Sequence, residues 1–135
     1  MADILIIDSA YRYRSLVRLF LEGIGYRVRE ASGIRDAAAL LLDKTPDLAI
    51  FGINLSKPED RHSLLTFQKM EWDVPAIVLF SGDSTRKADY LGSLERVESI
   101  KVLDQPTRAY RLLAMVKAML TSPGELLEGG HHFGP

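Results

Sequence analysis

The stretch "PDLAIFGINL", residues 46–55, carries the main indication of the fold. Residues 48–51 form an apolar run without polar alternation, which is typical of a strand covered on both faces of a parallel sheet. Gly52 follows this run, where the strand is expected to meet a loop. In α/β proteins that junction usually carries the chemistry. The stretch therefore places a residue without a side chain where a functional group is expected.

Four further short apolar runs lie at residues 4–7, 26–29, 76–80 and 100–103, and the second and last carry charges that suit sheet edges. Helical patterns alternate with them at 12–22, 34–43, 61–70, 84–94 and 108–120. Leu16, Leu19 and Phe20 predict the buried face of the first helix. This order predicts one α/β domain with a parallel sheet over residues 1–120, followed by a polar, glycine-rich tail at 121–135.

Composition excludes several classes of function. The chain has 135 residues, 47% of them apolar and 26% charged, and a net charge of −1 without the basic face of a nucleic-acid binder. It contains no Cys, which excludes disulfides and a thiolate nucleophile. The start, MADILIID, lacks the basic segment of a signal peptide, and no apolar run approaches the roughly 20 residues of a membrane span. We therefore expect a cytoplasmic protein without membrane contacts.

Five segments follow one another in order over residues 3–120: "ILIID" (4–8), "GYRVREASG" (25–33), "PDLAIFGINL" (46–55), "VPAIVLF" (74–80) and "VLDQP" (102–106). In this order and at this spacing the chain resembles a bacterial response-regulator receiver domain. The resemblance implies a flavodoxin-like, doubly wound sheet of five parallel strands in the order 2-1-3-4-5 with five helices. It also implies a place in two-component or phosphorelay signalling.

The resemblance assigns roles to individual positions, and several of them have lost the required group. Receivers transfer a phosphoryl group to an Asp at the end of the third strand, with Mg²⁺ and a Lys neutralising charge. The nucleophile position falls on Gly52, one acidic metal position on Ser9 and the Lys position on Gln105. Asp8 is retained and Asn54 would offer a carbonyl oxygen, but these two make a poor Mg²⁺ site. We therefore expect neither a metal nor a cofactor.

The remaining positions extend this pattern. The Ser/Thr position of receivers falls on Phe80, or on Ser81 after a slip of one residue, and the aromatic switch position falls on Val102. Pro106 is kept, so the peptide bond between Gln105 and Pro106 is expected to be cis. The combination predicts a pseudo-receiver that keeps the scaffold, is not phosphorylated at the usual site and is not an enzyme.

The expected role is therefore protein binding. In receivers the surface formed by the fourth helix, the fifth strand and the fifth helix commonly binds partners. A solvated pair of helices without a partner is the alternative for this surface. The partner would be a signalling kinase, an output domain, a regulator or a second copy in a homodimer. The candidate residues are Arg86, Lys87, Tyr90, Tyr110, Arg111 and Ala114.

Other interpretations remain open at this point. A small ligand in the Gly52 cleft, or phosphate on another residue, would keep the domain switchable. A flavodoxin-like enzyme is disfavoured because "DSAYRYR" (8–14) contains no glycine-rich phosphate loop. Asp8 is expected to be a partly solvated carboxylate bonded to Gln105, Ser81 or an arginine. The sequence also predicts that Glu59 and Asp60 form a solvated helix start and that His131 and His132 belong to the tail rather than to a metal site.

Overall fold

The computed structural model describes residues 1–70 and 72–121, which form an alternating α/β domain. Within these residues the strands are β1 (Asp3–Asp8), β2 (Arg27–Ala31), β3 (Leu48–Asn54), β4 (Ala76–Ser81) and β5 (Ile100–Asp104). The helices are α1 (Tyr11–Ile24), α2 (Ile34–Asp43), α3 (Pro58–Lys69), α4 (Lys87–Gly92) and α5 (Ala109–Leu120), with 3-10 turns at Ser84–Arg86 and Val97–Ser99. Beyond Thr121 the predicted tail, with His131 and His132, lies outside the described residues.

The strands form one parallel sheet in the order β2-β1-β3-β4-β5, which confirms the predicted topology. β1, β3 and β4 occupy the centre, and nearly all their residues are buried, as their continuous apolar runs predict. Side chains of α2, α3 and α4 pack on one face of the sheet, and those of α1 and α5 pack on the other. The two cores align the carboxyl ends of the central strands at one edge.

Gly52 lies inside β3 and not at its end, which corrects the predicted boundary. It pairs with Asp8 on β1 and with Leu79 on β4, and the strand continues to Asn54. Ile53 is fully buried, so the strand keeps an apolar side chain beyond the glycine. The glycine therefore faces a neighbouring strand rather than a loop.

The predicted buried face of α1 is wrong for two of its residues. Leu16 is 64% exposed and Leu19 is 57% exposed, whereas Val17 and Leu21 are buried against the sheet. Val17 and Leu21 are four residues apart and therefore lie on one side of the helix. Arg14 on that helix forms an ion pair with Glu30 on β2, which favours the observed rotation.

Two helices begin three residues away from their predicted starts. α3 begins at Pro58, because proline is favoured in the first helical turn, where its missing N–H is not needed. The predicted helix at 84–94 is a 3-10 turn followed by the short α4. Asp83 accepts a hydrogen bond from the backbone N–H of Thr85 and caps that turn. No helix in the described part of the chain is long and apolar enough to cross a bilayer.

An ion pair at the amino edge of the sheet gives the first testable prediction. The buried carboxylate of Asp3 accepts from Nε and Nη2 of Arg29 at 3.1 and 3.0 Å, and the same guanidinium donates to the carbonyl oxygens of Leu40 and Lys44 at the end of α2. Arg29→Ala removes the guanidinium that donates to the Asp3 carboxylate and to the two carbonyl oxygens. We expect it to lower the free energy of unfolding by about 3 kcal/mol in urea denaturation.

The matched control is Lys44→Ala. The ammonium group of Lys44 lies 3.5 Å from the same carboxylate, but its side chain is half exposed. Its loss is expected to cost less than about 1 kcal/mol, since exposed ion pairs contribute little. Equal losses for the two variants would contradict the role given to Arg29.

Candidate functional site

A small polar cavity lies at the carboxyl edge of the sheet, where β1, β3 and β4 end. Its volume is about 60 Å³. The structure brings together here most of the positions that the sequence assigned to the degenerate site, together with four residues that it did not assign: Ala10, Tyr13, Lys57 and Asp60. The lining includes Asp8, Ser9, Gly52, Asn54, Asp60, Ser81 and Gln105.

The carboxyl group of Asp8 occupies the space that a side chain at position 52 would need. A Cβ atom built on Gly52 would lie 2.0 Å from Oδ2 of Asp8 and 2.3 Å from its Cγ. Real Cβ atoms do not approach other atoms so closely, so any other residue at position 52 requires Asp8 to move. The glycine is thus matched to the position of Asp8, which no single stretch of sequence reveals.

Asp8 is buried but only partly compensated. It is 6% exposed, and its Oδ1 accepts a hydrogen bond of 2.8 Å from the backbone N–H of Ala10. Arg14 donates to the carbonyl oxygen of Asp8 rather than to its carboxylate. Burial raises the pKa of Asp8, and the nearby Asp60 raises it further, against the opposite effects of the Ala10 N–H, Arg14 and Lys57. Its expected bond to Gln105, Ser81 or an arginine side chain is not formed within the described residues.

Asp60 is not the solvated residue that the sequence suggested. It is 6% exposed, and its Oδ1 and Oδ2 accept hydrogen bonds of 2.9 Å from the Ser9 hydroxyl and from the backbone N–H of Asn54. Glu59 remains exposed, as predicted. The cause is the start of α3 at Pro58, which places Asp60 on the same inward helix face as Leu64 and Phe67. The spacing 60, 64, 67 was a usable signal for this burial.

Phe80 and Ser81 have separate positions at the end of β4. Phe80 is buried in the core, where its ring meets that of Tyr90 edge to face at a centroid distance of 5.7 Å. Ser81 borders the cavity instead. The backbone N–H of Gln105 donates to the Phe80 carbonyl oxygen at 2.7 Å, and the peptide bond between Gln105 and Pro106 is cis, as expected.

Tyr90 was predicted to be a surface residue, and the structure corrects this. It is 6% exposed, and its hydroxyl donates a hydrogen bond of 2.9 Å to the carbonyl oxygen of Arg61 on α3. Apolar burial opposes the phenolate, so the pKa of Tyr90 is raised well above its ordinary value. Val102 is half-buried and packs against the same core. Tyr90 therefore joins α4 to α3 rather than to a partner.

The other candidates for the partner surface remain accessible. Arg86 is exposed beside Asp83, and Lys87 forms an ion pair of 2.7 Å with Asp104. A shallow, mostly apolar groove runs between β5 and α5. The exposed candidates on its α5 side are Tyr110, Arg111 and Ala114.

The donor set does not fit the Mg²⁺ ion that the fold would imply. Asp8 directs one carboxylate oxygen at Gly52, and both oxygens of Asp60 already accept protein hydrogen bonds. Ser9 offers a hydroxyl that donates to Asp60. Residues 1–70 and 72–121 contain no cluster of three or more His, Cys, Asp or Glu side chains suited to a metal ion. Hard cations need several oxygen ligands, so these residues do not make a magnesium site.

Comparisons of sequence and of fold show which known proteins the chain is similar to. No protein-family model matches the chain. The phosphate regulon transcriptional regulatory protein PhoB of Pseudomonas aeruginosa is 29% identical over 133 aligned residues, covering 90% of this chain and 54% of that protein. The chain therefore spans about half the length of this curated relative.

Solved structures show the same fold at lower identity. A CheY-like response regulator receiver domain from Methanospirillum hungatei has a TM-score of 0.72 at 22% identity. The alignment covers 89% of this chain and 94% of the M. hungatei chain. The receiver domain of a signal transduction histidine kinase from Syntrophus aciditrophicus has a TM-score of 0.74 at 21% identity, with coverages of 89% and 90%. The receiver domain of NtrX from Brucella abortus has a TM-score of 0.71 at 23% identity, with coverages of 87% and 98%. The chain thus has the fold of response-regulator receiver domains.

The buried Asp8 predicts a pH dependence of stability. Its pKa is raised in the folded state, so the folded protein binds the proton more tightly than the unfolded chain and loses stability as pH rises through the raised value. Asp8→Asn cannot ionise. In urea denaturation between about pH 4 and about pH 8, the variant should gain stability relative to the unmodified protein as pH rises. A difference that stays constant across this range would show that Asp8 titrates normally.

The contact between Asp8 and Gly52 predicts non-additive effects of substitution. Gly52→Ala alone should destabilise the fold, because the new Cβ displaces the Asp8 carboxyl. In the background of Asp8→Ala the same change should be neutral or stabilising, since alanine is favoured over glycine in a strand. Thermal unfolding of the four proteins should give a coupling energy of about 1–3 kcal/mol. Additive effects would contradict the contact.

Proposed function

We propose that this chain is a receiver-like signalling domain of a two-component or phosphorelay system that is not phosphorylated at the usual site and acts as a protein-interaction or dimerisation module. The observation that carries the proposal is the Asp8 carboxyl in the space of the side chain at position 52. That space is where the nucleophile of a receiver would stand. In this chain it is filled by a group from the neighbouring strand.

Phosphoryl transfer needs a nucleophile, a cation against the developing charge and an open approach for the donor. Gly52 supplies no nucleophile, and Gln105 offers an amide where receivers carry a cationic Lys. The two buried carboxylates of Asp8 and Asp60 add negative charge beside the cavity and would repel a phosphate group. Each of these features opposes the reaction, and together they support a domain that is neither phosphorylated nor catalytic.

The partner surface is proposed on α5 and the adjoining strand. The groove between β5 and α5 has an apolar floor that includes Leu103, Met115 and Ala118, with Lys101 and Arg111 at its rim. An apolar centre with a charged rim is the usual composition of a protein interface. The partner is a kinase, an output domain, a regulator or a second copy of this chain. The P. aeruginosa relative is named a transcriptional regulatory protein, which favours an output domain among these partners. The cytoplasm is the compartment that we propose for the domain.

A small-ligand switch at Gly52 finds little support in the size of the cavity. A volume of about 60 Å³ is far below the roughly 300–1,000 Å³ of typical ligand pockets. Its polar lining and size suit one or two water molecules. Asp8 further narrows the space that the missing side chain would otherwise leave.

Incubation with acetyl phosphate and Mg²⁺, followed by intact-mass measurement before and after brief base treatment, tests the proposal. We expect no added phosphoryl group and no change in sedimentation coefficient. A receiver domain with its Asp intact, treated in parallel, serves as the positive control. A base-labile phosphate on this chain would overturn the proposal, and peptide mapping would then identify the residue that accepts it.

A further inference from the structure

We infer that the Asp60 carboxylate takes the place of an external ligand at the carboxyl edge of the sheet, where it holds the loops after β1 and β3 together. Through the Arg61 carbonyl and Tyr90, the same segment keeps α4 in one position. The hydrogen bonds themselves are independent of the domain's function. The inference therefore does not rest on the function proposed above.

The first part of this connection is the position of the Asp60 carboxylate between two loops. Ser9 directly follows β1, and Asn54 ends β3, the next strand in the sheet. Asp60 accepts from the Ser9 hydroxyl and from the Asn54 N–H, one bond on each oxygen. Bonds from neutral donors to a buried carboxylate are stronger than neutral ones. One side chain from α3 therefore fixes the starts of two loops relative to each other.

The donors explain why a carboxylate is needed here. Without Asp60, the N–H of the half-buried Asn54 would lose its acceptor, which is costly where water does not reach it, whereas the exposed Ser9 could turn its hydroxyl to solvent. A carboxylate supplied by the chain itself satisfies both donors at all times. The two loops thus need no external ligand to reach this arrangement.

The second part leads from α3 to α4. The residue after Asp60 is Arg61, whose carbonyl oxygen accepts the Tyr90 hydroxyl at 2.9 Å. Arg61 also donates through Nη1 to the carbonyl oxygen of Leu55, in the loop after β3. The ring of Tyr90 is fixed against Phe80 in the core. A change in the first turn of α3 would therefore move the acceptor that positions α4.

The direct test compares Asp60→Ala with Glu59→Ala, which removes an exposed carboxylate one residue earlier on the same helix. In amide NMR spectra, Asp60→Ala is expected to shift the resonances of Ser9, Asn54 and residues 87–92, and to reduce hydrogen-exchange protection near Asn54 by roughly tenfold or more. Glu59→Ala should leave both regions in place. Tyr90→Phe should shift residues 87–92 but not Ser9.

Chemical rescue separates the role of the carboxylate from general damage to the fold. Sodium formate should return the Ser9 and Asn54 resonances of Asp60→Ala toward their original positions as its concentration rises, whereas sodium chloride at the same ionic strength should not. If Asp60→Ala fails to fold, Asp60→Asn, which retains an acceptor, replaces it. Thermal unfolding is then compared among the unmodified protein, Asp60→Asn, Tyr90→Phe and the double variant. Additive shifts in melting temperature would overturn the connection.

Two further outcomes contradict the inference. Resonances of residues 87–92 that stay unchanged in Asp60→Ala would show that α4 does not depend on this carboxylate. Equal effects of formate and chloride would show that Asp60 is not acting as a ligand. Both results are independent of the acetyl phosphate experiment, so failure of this inference is distinguishable from failure of the proposed function.

Discussion

At the edge where β1 and β3 end, the Asp8 carboxyl stands in the space of a side chain at position 52, and the site is arranged around that contact. The parallel register pairs these two residues directly, so a larger residue at one position must displace the other. Glycine at position 52 therefore has two consequences that cannot be separated. It offers no nucleophilic side chain, and it leaves room for the Asp8 carboxylate of the neighbouring strand.

A second buried carboxylate next to the first requires compensation, since like charges in a region of low dielectric constant repel each other. For Asp60 the compensation comes from the Ser9 hydroxyl and the Asn54 N–H. For Asp8 it comes from one backbone N–H, while Arg14 and Lys57 act from a distance. Burial raises the pKa of Asp8, and repulsion from Asp60 raises it further. A metal ion would relieve this repulsion in another protein, but here the oxygens of Asp60 are already engaged by the protein itself.

The parallel sheet could be predicted because apolar runs and their spacing are local properties of the chain, whereas its strand order was implied by the resemblance to receiver domains. Packing details depend on the rotation and first residue of each helix, and periodicity determines these only to within a few residues. Leu16 and Leu19 fit a helical stripe as well as Val17 and Leu21 do, and the pairing of Arg14 with Glu30 on another element favours one rotation. The helical pattern at 61–70 predicts a solvated Asp60, although Pro58 marks an earlier helix start. The sequence also predicts an exposed Tyr90, because its partner, the Arg61 carbonyl, is distant in the sequence.

The residues that line the site and the residues that hold the fold are largely different, so the site can change while the fold is kept. The sheet is held by apolar packing on both faces and, at its amino edge, by the ion pair of Asp3 with Arg29. Apart from Tyr13, which packs against one core and also lines the cavity, these groups do not border the cavity at the carboxyl edge. Under the function proposed above, Gly52, Ser9 and Gln105 can lack the groups of phosphoryl transfer while the scaffold stays intact. At that edge the Asp60 carboxylate bonds Ser9 and Asn54, and the neighbouring Arg61 carbonyl accepts from Tyr90. These bonds hold helices and loops in place, as the proposed role of presenting a fixed surface to a partner would require.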